Sequence, residues 1–331
     1  MKEKGQGAER ERVNFLLPTF AFLLGCAMAA GAMAQQYPAK PVRIVVPAAA
    51  GGPTDIPARL VGDGLAKATG GHFIVENRVG AGGIIGADAV AKSAADGYTL
   101  LYANTSVLAV VPALQGAKVP YDPAAFTYIG FVSSSPQILV GNPKLPYRNI
   151  KELLAYAKAN PGRINWATGG PGTLPHLTYE LLKLETGINA TVINYAGGGP
   201  ALVAVQAGQS DVLFDILGPK VRSGEVRALA VTGPRRVPDI PDVPTMAESG
   251  LAALTTTSGT GLVGPAGVSR DIVTTLNAKL NELLKTEGFT AKMSPMGLQP
   301  AGGTPEDFRA WASDQRQKWI RVVKEGGVKV E

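Results

Sequence analysis

The chain has 331 residues, 45% of them apolar and only 18% charged, with 41 glycines and 25 prolines. That length and balance accommodate two ordinary domains with many short turns, and they exclude a disordered chain. The net charge of +6 is scattered, with no Lys/Arg run and no interleaved aromatics, which excludes nucleic acid as a partner.

Residues 1–34 read as a signal peptide: Lys2, Lys4, Arg10 and Arg12 accompany an apolar run over 15–30 that ends in Ala32-Met33-Ala34, an A-x-A cleavage site. The mature chain is then expected to start at Gln35, soluble and in the periplasm. Leu23-Leu24-Gly25-Cys26 also fits a lipoprotein box in which Cys26 becomes the lipidated first residue, and that alternative stays open. Once Cys26 is removed no cysteine remains, so no disulfide, thiolate nucleophile or Cys-based metal site is available. No later segment has the ~18 consecutive apolar residues of a membrane span.

From Val42 onward short β-branched runs alternate with helical stretches: strand 42–46, helix 55–69, strand 73–75, helix 84–94 and strand 98–102. Strands apolar on both faces and separated by helices predict a parallel sheet covered on both sides. The pattern restarts with helix 149–159, strand 164–167, helix 174–186, strand 191–195, helix 200–207 and strands 211–214 and 227–231. Extended apolar stretches at 126–132, 137–140 and 255–263 read as paired crossover strands between the two units. Two amphipathic helices close the chain, 270–285 and 305–324, the second opened by Thr304-Pro305-Glu306-Asp307 with an N-cap, Pro at N1 and acid in the first turn. The expected fold class is α/β, two-lobed, with 35–133 and 258–331 as one lobe and 134–257 as the other.

Two glycine-rich loops follow strands and open helices, PAAAGGPTD at 47–55 and TGGPGTLPH at 168–176. Backbone N–H groups at a helix N-terminus carry partial positive charge and bind carboxylates without a cationic side chain. Thr54 and Thr173 stand where N-caps belong. Both loops lie at the carboxyl ends of strands, one per unit, so they face the crevice where α/β sheets bind ligands. Neither is a Walker sequence, and GAGGIIG at 80–86 has G-x-G-x-x-x-G spacing rather than the dinucleotide G-x-G-x-x-G, so no cofactor is expected. Of the two histidines, His72 is expected on the surface, while His176 opens a crevice helix and either orients its loop or touches ligand. Asp55 and Asp215 are lone acids at strand ends, better suited to bonding loop backbone than to acid/base work. A secreted hydrolase would need a nucleophile–base pair that the sequence does not place, so no catalytic residue and no metal ligand are assigned.

The segments VRIVVPAAAGGPTDIPARL, VENRVGAGGIIGADAVAKSAADGYTLLYA, VPYDP, GGPGTLPHLTYELL, NYAGGGPALVAVQAGQSDVLFD, VRSGEVRALAVTGPRRVPDIPDVPTMAESG and AGGTPEDF resemble, in order, the Bug-type receptors of tripartite tricarboxylate transporters. The resemblance implies a periplasmic-binding-protein (Venus flytrap) fold with two crossover hinge strands. It implies a small carboxylate held by Ala49, Ala50, Pro53, Thr54 and Asp55 from one lobe and by Gly170, Gly172, Thr173 and His176 from the other. Asn104, Thr105, Ser106, Tyr195, Gly198, Gly199 and Asp215 complete the implied wall. The implied partners are integral membrane transporter subunits, with a signalling receptor as the alternative, and the protein is expected to be a monomer. Ala48 stands where the family commonly has Phe or Tyr, and Ala196 where Lys or Arg is frequent, which predicts a pocket wider or less suited to a second carboxylate.

Overall fold

Two five-stranded sheets organise the chain, and each is built from the same local grammar of strand, glycine turn and helix. The computed structural model describes residues 37–328 apart from Pro53, and the fold is that of the unit beginning at Lys40. The expected signal peptide over 1–34, with Cys26, lies outside the described residues.

The first sheet takes β1 (Val42–Val46), β2 (Phe73–Asn77) and β3 (Thr99–Asn104), with α1 (Asp55–Thr69) and α2 (Ile84–Ala91) between them. After β3 come a π-helical turn, Ser106–Val110, and a short α3 (Val111–Gln115), then β4 (Thr127–Pro136). The second sheet takes β5 (Ile138–Gly141), α4 (Ile150–Ala159), β6 (Asn165–Thr168), α5 (Leu174–Thr186), β7 (Thr191–Asn194), α6 (Gly198–Ala207), β8 (Val212–Asp215), α7 (Gly218–Arg222) and β9 (Arg227–Val231). The chain returns through β10 (Thr257–Gly264) and ends in α8 (Arg270–Leu284), α9 (Glu287–Met293) and α10 (Pro305–Gly326). The helices over 106–115, 218–222 and 287–293 are absent from the sequence reading.

Strand order is β2-β1-β3-β10-β4 in the first sheet and β7-β6-β8-β5-β9 in the second. The sheets are mixed rather than parallel as expected: β10 runs antiparallel to β3 and β4, and β5 antiparallel to β8 and β9. A returning strand laid along the outgoing one must run against it, whereas the helix-linked strands stay parallel. The pair β4 and β10 forms the double crossover, running from Thr257 opposite Pro136 to Gly264 opposite Thr127 with register shifts at Thr260/Gly261 and Leu262/Val263. A buried chain of hydroxyls ties it to β3, with Tyr102 Oη 2.9 Å from Thr260 Oγ1, which is 2.9 Å from Ser133 Oγ. Central strands are largely buried, and edge strands β2 and β7 are half exposed.

The last helix is begun as the sequence predicts. The Thr304 hydroxyl accepts the Asp307 N–H at 3.1 Å, the Asp307 carboxylate accepts the Thr304 N–H at 2.8 Å, and Pro305 is at N1. Its first half lies in the core of the first sheet, where Phe308 stacks on Phe131 at 4.8 Å. Its second half carries Trp319 and Val322 into the core of the second sheet, among Trp166, Leu177 and Tyr179. Between them Gln315 accepts the Thr256 hydroxyl at 2.7 Å, clamping the helix to the returning crossover. Among the described residues no helix is long and apolar enough to cross a membrane.

Candidate functional site

All three parallel strands of each sheet deliver a loop to the same end of that sheet. The loop after β1 is organised by Asp55, which is 1% exposed. Its carboxylate accepts two bonds from Arg59, at 2.9 and 3.0 Å, one from the Gly51 N–H at 2.8 Å and one from the Asn77 amide at 2.8 Å. The same Asn77 amide donates to the Ala48 carbonyl at 2.9 Å, so β2 also holds the loop. Asp55 is therefore a structural anchor whose four acceptor positions are used. The Arg59 guanidinium, helped by Gly51 and Asn77, outweighs burial and holds its carboxyl at about 2. Ala49 and Ala50 are exposed at the loop tip, and Pro53 lies outside the described residues. Thr54 departs from the expected cap: its backbone is helical and its side chain makes no capping bond. Asp55 supplies the stabilising carboxylate in the first turn instead.

The loop after β6 is organised by its own side chains. The Thr173 hydroxyl donates to the Gly170 carbonyl at 2.8 Å and accepts the His176 N–H at 3.4 Å, capping α5. His176 Nδ1 accepts the Gly172 N–H at 3.2 Å, and Nε2 lies 3.9 Å from Glu180 Oε1. Gly170, Gly172, Thr173 and His176 thus form one tight turn, with His176 orienting the loop. Burial lowers its pKa, against an upward pull from Glu180, so the imidazole is held neutral as the Gly172 bond requires. Protonation would put a hydrogen on Nδ1 facing the Gly172 N–H. For a base whose folded pKa is depressed, the stabilisation is complete above the ordinary value of 6.5 and declines as the pH falls from there. The melting temperature is expected to fall as the pH is lowered below the ordinary histidine value of 6.5. His176→Asn, which keeps an acceptor but does not titrate, should flatten that slope; identical pH profiles by differential scanning calorimetry would refute the assignment.

The loop after β7 meets this turn backbone to backbone, and the Asp215 side chain at the end of β8 closes on Gly198 of that loop. A Cβ on Gly169 would lie 3.1 Å from Gly198 N, and one on Gly198 would lie 2.4 Å from Asp215 Oδ2, so a larger residue at 169 would crowd the neighbouring backbone and one at 198 would displace the Asp215 carboxylate. The helix begins two residues before its expected start, which puts Gly198 and Gly199 in the first turn of α6, with Gly199 facing open space. Asp215 accepts the Ile216 N–H at 2.8 Å, and burial raises its pKa.

The other expected wall residues divide between the core and a cavity. The Tyr195 ring packs on the core beneath α6 and its hydroxyl is 2.9 Å from Ser210 Oγ. Thr105 is buried and both gives and takes a hydrogen bond with Gly259 of β10. Asn104 accepts the Val107 N–H at 3.2 Å, starting the π-helical turn. Ser106 faces a cavity of about 440 Å³ between the sheets, lined also by Ala81, Gly82, Gly172 and Thr173. Val110, Val111, Leu114 and Gln115 complete much of its wall, and the sequence reading named none of them. The 80–86 glycine cluster, set aside as a dinucleotide motif, thereby contributes cavity wall.

Residues 57–328 match the model of the tripartite tricarboxylate transporter family receptor. The chain is 36% identical over 316 residues to the protein BugT of Bordetella pertussis (strain Tohama I), covering 94% of this chain and 96% of that one. Among solved structures it is similar to the periplasmic binding protein BugD, at 34% identity and a TM-score of 0.73, covering 89% of this chain and 100% of that one. It is also similar to MatC from Rhodopseudomonas palustris with bound malate, at 31% identity and a TM-score of 0.72, covering 87% of this chain and 100% of that one. The fold is the two-lobed periplasmic-binding-protein fold, with β4 and β10 as its crossover strands. With most of its length matched by the family model and its relatives aligned almost end to end, the chain belongs to the tripartite tricarboxylate transporter receptor family, a family of Bug-type periplasmic solute-binding proteins.

Proposed function

We propose that the protein captures a small carboxylate between two lobes, 35–133 with 258–331 and 134–257, and delivers it to the integral membrane subunits of a tripartite transporter. The exception to that division is the second half of α10, with Trp319 and Val322, which packs into the core of the second lobe rather than the first. The observation that carries this reading is the pair of glycine-rich loops, each opening a long helix and each rigidified by a side chain of that helix or its cap, Asp55 in one and Thr173 with His176 in the other. Helix N-termini bind carboxylates through backbone N–H groups and the helix dipole. Malate in the MatC relative supports the ligand class. Donors from two lobes hold an anion more strongly together than apart, so ligand shifts the open–closed equilibrium by its differential affinity, with β4 and β10 as hinge.

The test is a thermal-shift screen of ligand-stripped protein against carboxylic acids and their amides. A ligand that binds only the native state at 100 times its Kd adds about 2.7 kcal/mol. The expected result is a shift from an acid that is lost with its amide and much reduced in Thr173→Ala. That variant frees the Gly170 carbonyl and uncaps α5 at a cost of about 1 kcal/mol. Equal shifts from acid and amide would count against a carboxylate site.

A further inference from the structure

The cavity between the sheets has a wall that a carboxylate head leaves unused. Leu114 and Leu174, both half-buried, supply apolar surface backed by the buried Val110 and Val111, and its polar side chains, Ser106, Gln115 and Thr173, are uncharged. The lining among the described residues contains no Lys, Arg, His, Asp or Glu. Ser106 donates its hydroxyl hydrogen to the Gly82 carbonyl at 3.0 Å, and Thr173 donates its own to Gly170. Neither hydroxyl has a second hydrogen to offer an anion. That leaves the carboxamide of exposed Gln115 as the wall's remaining polar side chain. A second ionised carboxylate against this surface would shed water without meeting a cation, which is unfavourable. A methylene laid there tightens binding by about fourfold.

The geometry points to a ligand with one ionised carboxylate and an uncharged, mainly aliphatic body lying on Leu114 and Leu174. This rests on the carboxylate reading above and adds discrimination against dicarboxylates, in contrast to the malate-bound relative.

Isothermal titration calorimetry of the ligand-stripped protein tests it with straight-chain acids from butanoate to octanoate, the α,ω-dicarboxylates of equal length, and the amides of the monocarboxylic acids. Affinity is expected to rise by about threefold or more per methylene, with each dicarboxylate about 100-fold weaker than its monocarboxylate counterpart. Gln115→Lys adds an ammonium group at an exposed position, clear of the core, and should narrow that gap by about tenfold. A dicarboxylate that matches its counterpart, affinities flat with chain length, or an unchanged ratio in Gln115→Lys overturns the inference and leaves the carboxylate reading standing. Amides that bind as well as the acids, or no binding by any acid, overturn the carboxylate reading and this inference together.

Discussion

Asp55→Ala is expected to abolish ligand-dependent stabilisation and to lower the unfolding free energy by about 2 to 3 kcal/mol. The substitution leaves the Gly51 N–H, the Asn77 amide and the Arg59 guanidinium without their shared acceptor. Breaking a fully buried ion pair costs about 3–5 kcal/mol, and the Arg59 side chain is 48% exposed, so the lower figure applies here. The binding loss follows because Asn77 holds the loop at Ala48 while Asp55 holds it at Gly51, so the loop tip loses its shape. Asp55 also sets an acid limit. Its folded pKa of about 2 is below the ordinary 3.8, so its contribution is complete above about pH 4 and is lost as the pH falls through about 2. Asp55→Asn should therefore show a shallower stability loss than wild type across that window. Urea denaturation with a parallel ligand thermal shift reads both effects, and an unchanged ligand shift in Asp55→Ala would remove Asp55 from its anchoring role.

Trp319→Ala is expected to destabilise the protein by about 3–5 kcal/mol, because it deletes a fully buried indole from the core of the second sheet. Trp319→Phe should recover most of that loss. The effect is larger than its position near the end of the last helix suggests, since α10 is shared by both cores. Phe308 and Ala312 anchor it in the first, Trp319 and Val322 in the second, and Gln315 bonds Thr256 in between. A loss below about 1 kcal/mol in urea denaturation would mean that the second half of α10 contributes no core.

Much of this was readable from the chain because it is local. The alternation of β-branched runs and amphipathic stretches located β1, α1, β2, α5 and α10. The caps at Thr173 and Thr304 were legible because a hydroxyl and the N–H three residues on are neighbours in sequence as well as in space. The run VLAVVPALQ at 107–115 escaped because it is apolar on every side and carries a proline, which leaves no 3.6-residue period to detect. Its residues nevertheless supply much of the cavity wall.

Strand direction and side-chain aim were settled by partners far away along the chain. Nothing near Thr105 announces that it bonds Gly259, 154 residues on, and nothing near Tyr195 announces that its hydroxyl meets Ser210 rather than the crevice. Likewise β10 is antiparallel in the first sheet because it returns along β4 through the double crossover, a constraint of chain path rather than of composition. Propensity and capping act over a few residues, so the sequence carries them openly. Which face of a loop meets the ligand depends on packing between segments brought together only by folding.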